Sequence, residues 1–182
     1  MSLYGQSRYN PGMIGRPQQE EAAPYYFTYI DKVQGDDVVR VMESQLDEYL
    51  SLLAAITEEK SRHRYAPGKW SIRQVLNHIS DTERSFAFRA LWFARGFDTA
   101  LPSYDPDTAA AGAEADAVPW GAQVEEFRRV RLATISLFQN LPEESWMRTG
   151  VASGKTFTVR ALAFLIPGHA RHHVDILRER YL

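Results

Sequence analysis

Four stretches of this chain, each about 20 residues long, repeat apolar side chains at the spacing of one helix face, and that periodicity fixes the fold class. The first runs from about Asp36 to Lys60, with Val38, Val39, Met42, Leu46, Tyr49, Leu50, Leu53 and Ile56 inward. Asp36 and Asp37 suit its positive N-terminal end. The second starts at Ser71, where Ser71 and Gln74 have the spacing of a reciprocal capping box, and stops at Gly96. Its buried side reads Ile72, Val75, Leu76, Ile79, Phe86, Ala90 and Phe93. The third, Trp120 to Asn140, turns Val124, Phe127, Val130, Thr134, Ile135 and Phe138 inward before Leu141-Pro142 ends it. Thr158 caps the fourth, Val159 to Tyr181, whose stripe is Val159, Leu162, Ala163, Ile166, His169, His173, Ile176 and Leu177. Pro167 lies inside that helix, removes a hydrogen-bond donor and predicts a kink just before His169.

The connections are less regular. Residues 1–35, with Pro11, Pro17 and Pro24, read as an N-terminal arm without a core of its own, docked through Tyr25, Tyr26 and Phe27 or partly disordered. Residues 36–182 form the bundle domain. Phe97 to Pro119 is a proline-punctuated connection with room for a short helix, and Arg148 to Phe157 suits a small hairpin. The expected architecture is an all-α four-helix bundle, a fold that places metal and ligand sites between facing helices.

Composition narrows the chemistry. With no cysteine, thiolate ligands and a cysteine nucleophile are excluded, so any metal must be held by nitrogen and oxygen. A net charge of -2 argues against nucleic acid as a partner. No run approaches the roughly 20 apolar residues that span a bilayer, so no membrane partner is expected. Met1 to Ser7 lack the basic and apolar regions of a signal peptide, and the expected compartment is the cytoplasm.

Three of the five histidines fall at inward positions. His169 and His173 stand one helical turn apart and share a face. His78 borders the stripe of the second helix. A lone histidine on an apolar face is more often a satisfied core residue, but three that can converge favour a shared metal ion. Three protein ligands leave one coordination position open, as in reactive metal sites. The zinc-protease pattern fails, because Ala170 stands where that motif has its glutamate base. Asp81 could orient His78, although an ordinary helix pair with Arg84 is the simpler expectation. Glu83, Arg84, Arg89 and Arg95 read as charges on the outer face, His172 as lying off the site, and His63 as solvated.

The block Trp70-Ser71-Ile72-Arg73-Gln74-Val75-Leu76-Asn77-His78-Ile79-Ser80-Asp81-Thr82-Glu83-Arg84, then Arg89-Ala90-Leu91 and Ala94-Arg95-Gly96, resembles the DinB-like metal-binding superfamily. So do Gly168-His169 and His172-His173 with Leu177-Arg178-Glu179-Arg180-Tyr181. The resemblance runs from about residue 36 to the C-terminus. It implies an up-down-down-up four-helix bundle, a divalent metal held by His78, His169 and His173, and a homodimer. Some relatives are transferases that use bacillithiol or mycothiol, and one branch isomerises maleylpyruvate. The chain departs from the family pattern at Ala170, where an acidic residue is frequent. The expectation is a metal-dependent enzyme, a small-thiol S-transferase or a hydrolase. It would use zinc or nickel and act on a small molecule, with a low-molecular-weight thiol as the partner of the transferase reading. The alternative is a non-enzymatic, stress-associated bundle with a structural metal.

Overall fold

A computed structural model describes residues 14–182. The start of the expected arm, with Pro11, lies outside the described residues. The helices are α1 (Phe27–Ile30), α2 (Val38–Ala54), α3 (Ile72–Ala94), α4 (Pro106–Ala113), α5 (Trp120–Gln139) and α6 (Val159–Arg180). A hairpin of β1 (Thr149–Ala152) and β2 (Lys155–Thr158) precedes α6, with Thr149 opposite Thr158 and Ala152 opposite Lys155. α3 packs against both α5 and α6, and α2 closes the bundle against the same two. No helix is long and apolar enough to cross a membrane among the described residues.

The helix starts follow the sequence signals. Ser71 Oγ accepts from Gln74 N at 3.1 Å while Gln74 Oε1 accepts from Ser71 N at 3.0 Å, which completes the capping box of α3. Asp37 caps α2 through Arg40 N at 3.0 Å, and Thr158 caps α6 through Ala161 N at 2.9 Å. The first long helix ends earlier than its periodicity suggests, at Ala54 rather than Lys60. The β-branched pair Ile56-Thr57 favours the helix less, and Glu58 is needed elsewhere. Its carboxylate accepts from the backbone N of Trp120 at 2.8 Å, at the start of α5, and pairs with the fully buried Arg73. The residue preceding α5 is Pro119, which offers no side-chain acceptor. Glu58 therefore caps a helix distant in sequence, and helical continuation yields to that tertiary bond.

Apolar packing falls into two clusters. One gathers Phe93, Phe138, Trp146, Phe157 and Phe164; the other gathers Tyr49, Ile72, Leu76, Phe127 and Leu177. Along each long helix a polar group falls where one cluster gives way to the other. Arg131 of α5 meets Glu83 of α3, with Nη2 to Oε2 at 2.8 Å and Nε to both carboxylate oxygens at 3.0 Å. Its Nη1 donates to Gln45 Oε1 of α2 at 3.2 Å, and Gln45 Nε2 donates to the Pro167 carbonyl of α6 at 3.1 Å. One buried network thus fastens all four long helices.

This corrects the outer-face assignment of two charges. Glu83 is 2% exposed and Arg89 is 6% exposed. Arg84 and Arg95 do lie at the surface, Arg84 bridging Asp81 and Glu126 at 3.0 and 2.6 Å. A hydrophobic stripe counts apolar residues, so a charge buried against a partner on another helix is invisible to it.

Residues 14–35 are packed rather than loose. Arg16 donates to the carbonyls of Val33 and Gly35 at 2.8 and 2.9 Å. Glu21 accepts from Thr158 Oγ1 at 2.7 Å and pairs with Arg160. Burial alone would raise the Glu21 carboxyl, but hydrogen bonds from Arg160, the Gln18 backbone and Thr158 outweigh it and hold it below the usual carboxylate range. Of the three expected docking aromatics, Phe27 is buried, Tyr26 lies edge-on to Phe157 with centroids 4.8 Å apart, and Tyr25 stays largely exposed. α1 lies directly on α6, because Gly168 has no side chain: a Cβ there would overlap the Tyr29 carbonyl. The N-terminal segment is thereby held one residue from His169.

Candidate metal centre

The backbone explains how three rings meet. α3 and α6 face each other, His78 projects from one, and His169 and His173 project from successive turns of the other. His78 and His169 are buried and His173 is half-buried. His78 Nε2 lies 3.0 Å from His169 Nε2, and His173 Nε2 lies 3.1 Å from the same atom. Three like nitrogens therefore crowd one point. A neutral imidazole carries one proton, so protons alone cannot satisfy every lone pair of such a set without turning N–H groups on one another.

A cation fits the donor chemistry better. Four ligands around zinc at ~2.0–2.1 Å stand ~3.3 Å apart, close to the observed spacing. Burial pushes the His78 ring down to about 4, with Asp107 opposing and His172 assisting the shift. Burial also pushes His173 to about 3 and His169 well below the ordinary range, and neighbouring imidazoles add to both shifts. Near neutral pH the rings are uncharged, the state in which a histidine nitrogen can bind metal.

The surroundings hold the rings in place. Thr82 Oγ1 lies 3.4 Å from His78 Nδ1, at the far side of that ring. Trp70 packs on His78 with centroids 5.0 Å apart, and Tyr29 lies edge-on to His169 at 5.5 Å. Asp81 is engaged by Arg84, as the simpler expectation had it, and Thr82 occupies the orienting position considered for Asp81. His172 packs against Tyr29 and stays outside the set of converging nitrogens, and His63 is exposed. Ala170 is buried in the apolar cluster behind α6.

A cavity of about 420 Å³ opens over the ring nitrogens. Its walls include Tyr26 and Tyr29 from the N-terminal segment, Tyr104 and Pro106 from the long connection, and Ser153 from the hairpin turn. No carboxylate lines it among the described residues. Arg89 is its one charged wall residue among the described residues. Thr82 and Arg89 escaped the sequence reading, yet the signal was present. Positions 78, 82, 86 and 89 recur at helical spacing, so both share the face of His78.

Comparison with known proteins gives the family and the fold. The DinB superfamily matches residues 42–177. A Geobacillus thermodenitrificans protein named "Putative metal-dependent hydrolase" is 21% identical over 139 residues, covering 74% of this chain and 78% of the relative. YfiT from Bacillus subtilis, described as "a probable metal-dependent hydrolase with an unusual four-helix bundle topology", superposes with a TM-score of 0.67 at 16% identity. That match covers 90% of this chain and 91% of YfiT, and it shows a shared fold. The chain belongs to the DinB superfamily.

Proposed function

We propose that this DinB-superfamily protein is a metal-dependent hydrolase of a small molecule, with a divalent ion held by His78, His169 and His173. The observation that carries the reading is the convergence of three ring nitrogens, two from buried histidines and one from a half-buried one, at 3.0 and 3.1 Å in the wall of a cavity. A divalent ion in an open three-ligand site supplies Lewis-acid polarisation and, in favourable sites, acidifies water to a pKa of about 7. The chain's own residues do the rest. The imidazoles bind, Thr82 fixes the His78 ring, and Trp70 and Tyr29 exclude solvent from two sides. Among the described residues no carboxylate lines the cavity wall, so none of them is placed there as a carboxylate general base. Zinc suits the nitrogen spacing, and nickel suits the same donors with added waters.

Protein purified without a histidine tag should contain one divalent ion per chain by elemental analysis. A chain free of metal, and unable to take it up on addition of zinc or nickel, sinks the assignment. The hydrolase names of the relatives favour hydrolysis. Transfer to a low-molecular-weight thiol would use the same open position. Screening ester and amide substrates with and without added thiol separates the two, since only transfer requires the thiol.

We also infer a homodimer. Phe88 of α3 and Leu132 of α5 are 51% and 43% exposed, and an apolar groove between these helices is lined by Ala87, Leu91, Val130 and Leu137. A second copy covering that groove would bury it. Sedimentation should give twice the chain mass at micromolar concentration; the mass of a single chain across the concentration range would refute it.

A further inference from the structure

Arg89 combines two properties that seldom occur together. It is 6% exposed, and no carboxylate pairs with it among the described residues. Its Nη2 donates to the Pro102 carbonyl at 3.2 Å and to Ser153 Oγ at 3.1 Å. Both are neutral acceptors, and neither engages Nε or Nη1. The guanidinium carbon lies 5.9 Å from the Phe86 ring centre, and the side chain lines the same cavity as the three histidines. A buried cation without a counter-charge is costly. The contrast within this molecule is sharp. Arg131 and Arg73, both fully buried, pair with Glu83 and Glu58. Of the three buried arginines among the described residues, Arg89 is the one that faces the cavity instead of an acid.

We propose that this cavity binds small monocarboxylates, the acid group on Arg89 and the remainder reaching toward the histidine nitrogens. The inference rests on the hydrolase reading above and names the substrate class of that site. A guanidinium presents parallel N–H donors that match a carboxylate. Arg89 is the one arginine in the cavity wall among the described residues, and its single fork suits a single carboxylate group. Tyr26, Tyr104 and Phe86 give the rest of the ligand apolar and aromatic walls. A volume of about 420 Å³ suits a small molecule.

The test is calorimetric titration with two matched pairs, phenylacetate against phenylacetamide and hexanoate against hexanamide. Each acid should bind the wild-type protein at least about tenfold more tightly than its amide, the gain expected of a charge-assisted pair. Arg89→Gln should bring the ratio near one, with an unchanged circular dichroism spectrum. Arg89→Lys, which keeps the charge but loses the fork, should keep a weaker preference and decides the matter if the glutamine variant does not fold. Wild-type protein stripped of metal with a chelator should retain the acid preference. Equal or absent binding of acid and amide by the wild type overturns the proposal. So does an acid preference that survives Arg89→Gln, or one that disappears on removal of the metal, since either assigns the acid group to the metal site. A wild type that takes up no metal yet still prefers acids would defeat the metal reading and leave this inference standing.

Discussion

Arg131→Met should cost about 3–5 kcal/mol, enough to remove much of the stability of a typical domain. The substitution keeps roughly the volume of the side chain but strands the Glu83 carboxylate, which is 2% exposed and draws its charge partner from Arg131. It also unties Gln45, which bridges Arg131 to the Pro167 carbonyl. Chemical denaturation should show a lower midpoint with an unchanged slope. The paired replacement Arg131→Met with Glu83→Leu removes both charges and should recover most of the loss, because an apolar pair avoids the stranded ion. A single variant as stable as the wild type would show that the network contributes nothing net. Failure of the double variant to recover would place the cost in packing instead.

His169→Ala should abolish stoichiometric metal binding. His169 is central to the cluster, its Nε2 within 3.1 Å of both other rings. Losing even a residue that merely supports a ligand costs ~10–100-fold in affinity, so losing the central ligand should cost more. A thermal reading separates this from unfolding. A metal at 100 times its dissociation constant stabilises the native state by about 2.7 kcal/mol, so zinc should raise the melting temperature of the wild type and leave that of the variant unmoved. A variant that keeps a full complement of metal would refute the ligand set.

Most of the bundle could be read from residues alone, because burial there is periodic. The caps at Ser71 and Thr158 and the hairpin before α6 were equally legible, since each is a local bond pattern. The juxtaposition of His78 with His169 and His173 followed from spacing on two facing helices. What escaped was set by long-range partners. Glu83 and Arg89 looked like surface charges because their surroundings come from other helices and loops. The early end of α2 depends on Trp120, far along the chain. The packing of residues 14–35 depends on the absence of one Cβ at Gly168, which no periodicity reports.

The family match begins at residue 42, whereas Tyr26 and Tyr29 stand upstream of it and form one side of the chamber. The three histidines and one wall of the cavity beside them thus lie on opposite sides of that boundary. Evolution could exchange the upstream tyrosines and alter what is admitted while leaving every ring nitrogen where it is.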